Sequence, residues 1–392
     1  MQEQYPTLTI ADYANGAART DRGVEGQSLA FPLLGLFGET GSLLSELKKK
    51  QRDKAASRAY ADAVADELGD VLWYLAAVAS RGGVSLNAVA AHLVRDDAEW
   101  TGVEIPDLSF EALQPHNIPR TRQAPAQFET TLLALADEVG GLVRAHRTGE
   151  IVSGGDVLPL SLTRIFKLML KASREAGMTL ESAAIKNLYK TQDRWPDIRA
   201  YPEAFDERFD ADERLPRTLV IEIFEKTVRG QAFVFQRCNN LFIGDRLTDN
   251  AHEPDDYRFH DVFHFAFVAV LGWSPVIRAL LRLKRKSDPK MDENEDGARA
   301  VLIEEGISTW VFGQAASLQY FEGMRAGEMP IGVLKQVRQF AEGYEPEVCP
   351  LWLWEEALLQ GYAAFRFLRI HRQGRVIVDF DNRQLRIEPL PS

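Results

Sequence analysis

Apolar residues recur every three or four positions in two stretches near the start of the chain, Leu29 to Lys50 and Ala61 to Arg81. That spacing lines one face of an α-helix, so both stretches predict amphipathic helices, the first burying Leu43, Leu44 and Leu47. "RGGVSLNAVAAHLV" then reads as a glycine-bearing helix stop followed by Ser85 as the N-cap of another helix. The next segment, "IPDLSFEALQPHNIPRTRQAPAQ", carries four prolines and little periodicity, and predicts a linker. Helical spacing returns in "LADEVGGLVRAHR", which parallels "LFGETGSLLSELK", and in "KASREAGMTLESAAIKNL", which parallels "VASRGGVSLNAVAAHLV". Similar segments in the same order at similar spacing point to a duplicated helical unit. "DRWPDIRAYPEAFDERFDADERLP", rich in charge and proline, predicts a second linker. From Thr218 onward the pattern is mostly helical. It ends in "RVIVDFDNRQLRIEPL", whose alternation predicts a β-hairpin turning at Asp381 and Asn382.

This organisation predicts three parts: residues 1–105, 125–197 and 215–392. A length of 392 residues fits, because one compact core seldom grows that large. Hydrophobic residues make up 45%, the share of an ordinary folded protein. No apolar run approaches the roughly 18 residues that span a bilayer, and the first residues lack a charged-then-apolar leader. With only Cys238 and Cys349, no disulfide framework is expected, and a reducing cytoplasmic setting fits. The net charge of −11 argues against nucleic acid as a partner but leaves room for a small phosphate ligand.

The candidate chemistry lies at the edges of the apolar stripes. In "DELGD", Glu67 and Asp70 are three apart and share a helix face, and Glu39 follows "LLGLF" on the preceding helix. Two packed helices that each offer carboxylates can hold Mg²⁺ among oxygen ligands. Gly41 and Gly69 would allow close helix approach, at about 1 kcal/mol each in lost helix propensity. Isolated acids at such spacing are more often solvated surface residues; here the apolar flanks weigh against that.

"GLFGETGSLL" followed by "DELGDVLWYLAAVASRGGVSL" resembles the MazG-like family of all-α nucleoside triphosphate pyrophosphohydrolases. The resemblance covers about residues 28 to 95. It implies a helical bundle whose Mg²⁺ (or Mn²⁺) site cleaves a nucleoside triphosphate between its α and β phosphates, giving a monophosphate and pyrophosphate. Glu39, Glu67 and Asp70 match the family's acids, with Glu39 assigned as the base. Ser42 stands where a fourth acid is expected, and Glu46, one turn on, is its substitute in the metal set. The second repeat keeps Glu138 but has no acid in "VLPLSLTRIFKLMLKASR". Instead, "IKNLYKTQDRWP" matches the family's substrate-binding helix through Lys186, Asn187, Lys190 and Arg194. Repeat one is therefore expected to supply the acids and repeat two the cations. Trp73 offers a ring to a nucleobase, although aromatics on core helices more often serve the core.

The third part adds His260, Asp261 and His264, with Glu304 and Glu305 downstream in an apolar helix. Two histidines four apart plus a carboxylate can bind Zn²⁺ or Fe²⁺; the same spacing also arises in ordinary cores. "GDRLTDNAHEPDDYR", with Asp245, Asp249, Asn250 and Arg258, would line the same pocket. "RLKRKSDPK" is a basic run, read first as a solvated helix end. The resemblance extends loosely to this part, as a MazG-associated extension, without giving its chemistry. Three functions stand at this level. One is a pyrophosphohydrolase in nucleotide-pool control or phage defence, acting as a monomer or homodimer. The second is a nucleotide sensor with a decayed site. The third is a hydrolase using the histidine cluster.

Overall fold

The computed structural model describes residues 7–22, 28–53, 60–114 and 126–391. The chain divides into two compact units, 1–192 and 193–392, each with its own hydrophobic core.

The first unit is helical. It comprises α1 (Ile10–Thr20), α2 (Ala30–Asp53), α3 (Tyr60–Arg81), α4 (Leu86–Arg95), α5 (Phe110–Leu113), α6 (Ala126–Thr148), α7 (Val157–Glu175) and α8 (Leu180–Arg194). The two long apolar stripes form α2 and α3, which pack side by side, and α6 and α7 form a second such pair. α2 also packs on α6 and α3 on α7, so the four helices share one core. Leu43, Leu68, Leu72, Leu75, Leu135 and Phe166 are wholly buried in it. Burial of each such side chain stabilises by roughly 1.5–3 kcal/mol. Gly82 and Gly83 stop α3, and Ser85 caps α4, its hydroxyl accepting from the Ala88 amide. Gly83 has φ +69°, which glycine adopts without a Cβ penalty.

The first expected linker is partly built into this core. Leu108 and Phe110 are buried, and the Gln114 side chain bonds the Leu170 carbonyl, Ser173 and the Leu180 amide. Proline hides periodicity without preventing burial; residues 115–125 of this segment lie outside the described residues. Gly41 is a correction of a different kind, since it meets nothing a Cβ would touch. The close contact between α2 and α3 is at Gly35, where an added Cβ would overlap the Tyr74 ring.

The second unit joins an antiparallel sheet to a group of helices. The strands are β1 (Thr218–Val228), β2 (Gln231–Cys238), β3 (Leu241–Leu247), β4 (Gln373–Asp379) and β5 (Gln384–Glu388), in spatial order β3-β2-β1-β4-β5. The expected terminal hairpin is β4–β5; its strand β4 pairs with β1 in the register Ile221↔Val376. Between β3 and β4 run α9 (Asp261–Leu271), α10 (Pro275–Leu281), α11 (Pro289–Asn294), α12 (Ala298–Ser317), α13 (Ile331–Ala341) and α14 (Leu351–His371). α9 and α14 pack on each other and on β4 and β5. From Val262 to Leu271 every residue of α9 is buried, as expected of a central helix. No single helix among the described residues is long and apolar enough to cross a membrane.

The second expected linker is also structural. Asp206 is fully buried, pairs with Arg278 and Arg217, and accepts from the Leu215 amide. The basic run does not form a solvated helix end throughout, because Arg285 is buried between Asp296 and Glu345. Such charges persist inside only when paired on several sides.

Candidate metal and nucleotide site

The first unit brings Glu39 of α2 together with Glu67 and Asp70 of α3. One carboxylate oxygen from each lies within 4.8 Å of the others, and all three residues are half-buried. The helix period puts Glu67 and Asp70 on one face, and the α2–α3 pairing carries Glu39 to it.

Three acids so close repel one another. The Glu67 carboxyl is pushed up to about 7 by burial first, then by the charges of Asp70 and Glu39; Lys190 acts in the opposite direction. A divalent cation relieves this repulsion, and the all-oxygen donor set suits Mg²⁺ or Mn²⁺. The residues present therefore fit such an ion.

α8 supplies the complement. The Asn187 amide donates to Asp70 Oδ1 at 2.9 Å, and the Lys190 ammonium is hydrogen-bonded to Asp70 Oδ2. Gly69 makes this approach possible. A Cβ there would stand 2.8 Å from the Ala183 carbonyl oxygen and 2.9 Å from Asn187 Cβ, both on α8. Lys186 pairs instead with Asp66 at 3.0 Å and donates to the Asp62 carbonyl, one turn and more before Asp70.

Other expected members go elsewhere. Arg194 lies in the second unit, where its guanidinium donates to the carbonyls of Gly327 and Met329 and stacks on Trp195. Its charge is engaged there. Glu46 is not in the three-acid cluster; its carboxylate pairs with Lys49 at 2.5 Å, although its charge reaches Glu67. Trp73 is half-buried against the core, its indole N–H donating to Thr20 at 2.9 Å and its ring set edge-on to Tyr74.

Sequence reasoning missed Tyr13. This buried residue on α1 donates from its hydroxyl to Asn187 Oδ1 at 3.3 Å, which turns the amide NH₂ toward Asp70. Burial first, then the Asp70 charge, holds the phenol well above its usual value, so it remains a donor. α1 lies ahead of the recurring segments and carries no motif, so no sequence signal marked it.

In the second unit His260, Asp261 and His264 also cluster, each offering one atom within 4.8 Å of the others. Glu305 faces both histidines, whereas Glu304 lies behind His264, fully buried. The stretch before them reaches this cluster through Tyr257, whose ring stacks on His260, while Asp249 and Arg258 engage each other. Asp249 accepts from the Arg258 amide and guanidinium, and Arg258 also pairs with Glu225 and Asp256. β2 supplies an unanticipated partner, Gln236, which donates to Asp261. Its strand follows an alternating pattern, "QAFVFQRC", that was read as part of a helical region.

Residues 27–95 match the family model of the MazG nucleotide pyrophosphohydrolase domain, and residues 200–391 match that of the MazG C-terminal domain. The chain is 38% identical over 65 residues to the Gene 37 protein of Mycobacterium phage L5. That stretch is 16% of this chain and 57% of the phage protein, so little over half of that relative's length is covered. No solved structure matches.

Proposed function

We propose that this chain, whose matched domains are those of MazG-type proteins, is a divalent-metal-dependent nucleoside triphosphate pyrophosphohydrolase. It would cleave between the α and β phosphates to release a nucleoside monophosphate and pyrophosphate. The observation that carries this reading is the meeting of Glu39, Glu67 and Asp70 with Asn187 and Lys190 at one point.

Glu39, Glu67 and Asp70 would hold Mg²⁺ or Mn²⁺. When bound, the ion polarises phosphate oxygens and orients water. The chain's own groups do the rest. Asn187 and Lys190 fix the Asp70 carboxylate, each of whose oxygens keeps a second lone pair for a ligand. Lys190 stands ready to exchange part of its pairing for a phosphate oxygen as negative charge develops there. Since Asp70 is committed to α8, we assign the water's proton to Glu39.

Ser42 and the absence of Glu46 from the cluster leave three carboxylates rather than four. With all three ionised, one dication and Lys190 bring the cluster to neutrality, which admits a polyanionic substrate.

The test is incubation with a panel of ribo- and deoxyribonucleoside triphosphates and Mg²⁺, with monophosphate and pyrophosphate as readouts. Turnover lost in Asp70→Asn supports the proposal. Nucleotide binding without turnover by the parental chain replaces it with the sensor reading that Ser42 favours. Turnover that survives Asp70→Asn removes this site from the reaction.

A further inference from the structure

The second unit's histidine cluster has a feature that a satisfied core lacks. His264 is fully buried, and its Nε2 has no hydrogen-bond partner. The nearest ion-pair oxygen is Glu305 Oε2, 3.6 Å away. A buried polar atom without a partner destabilises the fold unless something else occupies the space in front of it.

The rest of the cluster is aimed at the same space. His260 Nδ1 is 2.9 Å from the Tyr257 carbonyl oxygen, and His264 Nδ1 is 2.8 Å from Glu304 Oε1. An Nδ1–H donated to each oxygen leaves both Nε2 lone pairs pointing forward, the tautomer that metal-binding imidazoles adopt. His260 Nε2 is 3.1 Å from Asp261 Oδ1 and 3.8 Å from Glu305 Oε2. Ligands at about 2.0–2.2 Å from a tetrahedral ion lie roughly 3.3–3.6 Å apart, so these separations bracket what one cation would bridge.

A supporting layer is complete behind the ligand atoms. Glu304 accepts from Ser274 Oγ at 2.6 Å and the Val276 amide at 2.8 Å as well as facing His264. Asp261 uses its other oxygen to accept from Gln236. The Tyr257 ring lies flat on His260, with centroids 4.3 Å apart and planes 3° apart, and its hydroxyl is 2.8 Å from Thr309 Oγ1. Consecutive residues on a helix point about 100° apart. That separates the roles of the two glutamates on α12: Glu304 orients from inside, while Glu305, with a side chain 36% exposed, faces the histidines from the solvent side.

We propose that the second unit binds a first-row transition-metal dication, Zn²⁺, Fe²⁺ or Mn²⁺, through His260 Nε2, His264 Nε2, Asp261 and Glu305. Mixed imidazole and carboxylate donors select such ions over Mg²⁺, whose preference is for oxygen alone. The partly exposed Glu305 edge leaves a side from which water or a small anionic ligand reaches the ion. The competing arrangement is a metal-free His264 imidazolium held between Glu304 and Glu305.

Co²⁺ is the probe, added to the full-length chain carrying Glu67→Gln and Asp70→Asn, which disables the first unit's acids. The expected result is one equivalent bound, with visible d–d bands that Zn²⁺ abolishes and a hundredfold excess of Mg²⁺ leaves unchanged. The bands and the binding heat are expected to weaken at least tenfold in His260→Gln and in Glu305→Gln, with far-UV circular dichroism unchanged. No stoichiometric Co²⁺ or Zn²⁺ binding in the chain with intact His260, Asp261, His264 and Glu305 overturns the proposal, whatever those variants do. So does binding that His260→Gln, folded, leaves at full strength.

Discussion

At the scale of single residues, the three-acid cluster is controlled first by burial and then by the charge of its neighbours. The folded-state Glu67 carboxyl lies at about 7, above its ordinary value near 4.5. In metal-free protein its stabilising contribution is therefore full below about pH 4.5 and is lost as pH rises through 7. Because the group is partly exposed, the effect is on the order of 1 kcal/mol after solvent screening. Urea denaturation in chelator is expected to show this slope between pH 4.5 and 7, and Glu67→Gln to flatten it. Added Mg²⁺ should release a proton below pH 7, so its affinity falls as pH drops, as titration calorimetry in two buffers would show. Lys190→Met removes the cation that lowers Glu67 and should move the deprotonation upward. It should also cost at least tenfold in kcat/KM, read from pyrophosphate release. Helical spacing put Glu67 and Asp70 on one face and apolar flanks marked Glu39, whereas Asn187 and Lys190 were reached only through the family resemblance. Tyr13 was not, because its role depends on where a distant helix lands.

At the scale of elements, two glycines that look alike in sequence have opposite surroundings. A Cβ on Gly69 would press on the α8 backbone under 3.0 Å, whereas one on Gly41 would meet open space. Gly69→Ala is expected to destabilise by about 1–3 kcal/mol through overpacking, less whatever helix propensity returns. It should also weaken catalysis by moving Asn187 and Lys190 away from Asp70. Gly41→Ala should stabilise by up to about 1 kcal/mol with activity retained. Thermal denaturation and steady-state assays on the pair check both signs. The helix limits of α2, α3 and α4 were readable from apolar period and the Ser85 cap. The strands β1 to β3 were missed because "TLVIEIFEKTV" and its successors mix alternation with charge. Their identity as strands rests on pairing, above all of β1 with the distant β4.

At the scale of the whole molecule, each unit holds a separate core and a separate cluster of candidate ligands. A fragment of residues 1–197 contains every group assigned to nucleotide hydrolysis. It is expected to retain turnover within about tenfold of the full chain, and complete loss in a folded fragment would place an essential group in the second unit. The sequence by itself determined the helical character of the first unit, the helix face that Glu67 and Asp70 share, and the terminal hairpin. These follow from local periodicity, which one segment of chain carries alone. Only the tertiary structure decided that both proline-rich segments are partly built into cores, and that Arg194 and Glu46 are engaged elsewhere. It alone separated Glu304 from Glu305 and set Gln236 on Asp261. Those outcomes depend on which surfaces meet across long stretches of chain. A buried polar group takes the partner that the fold brings within about 3 Å, and spacing along the sequence does not encode that distance.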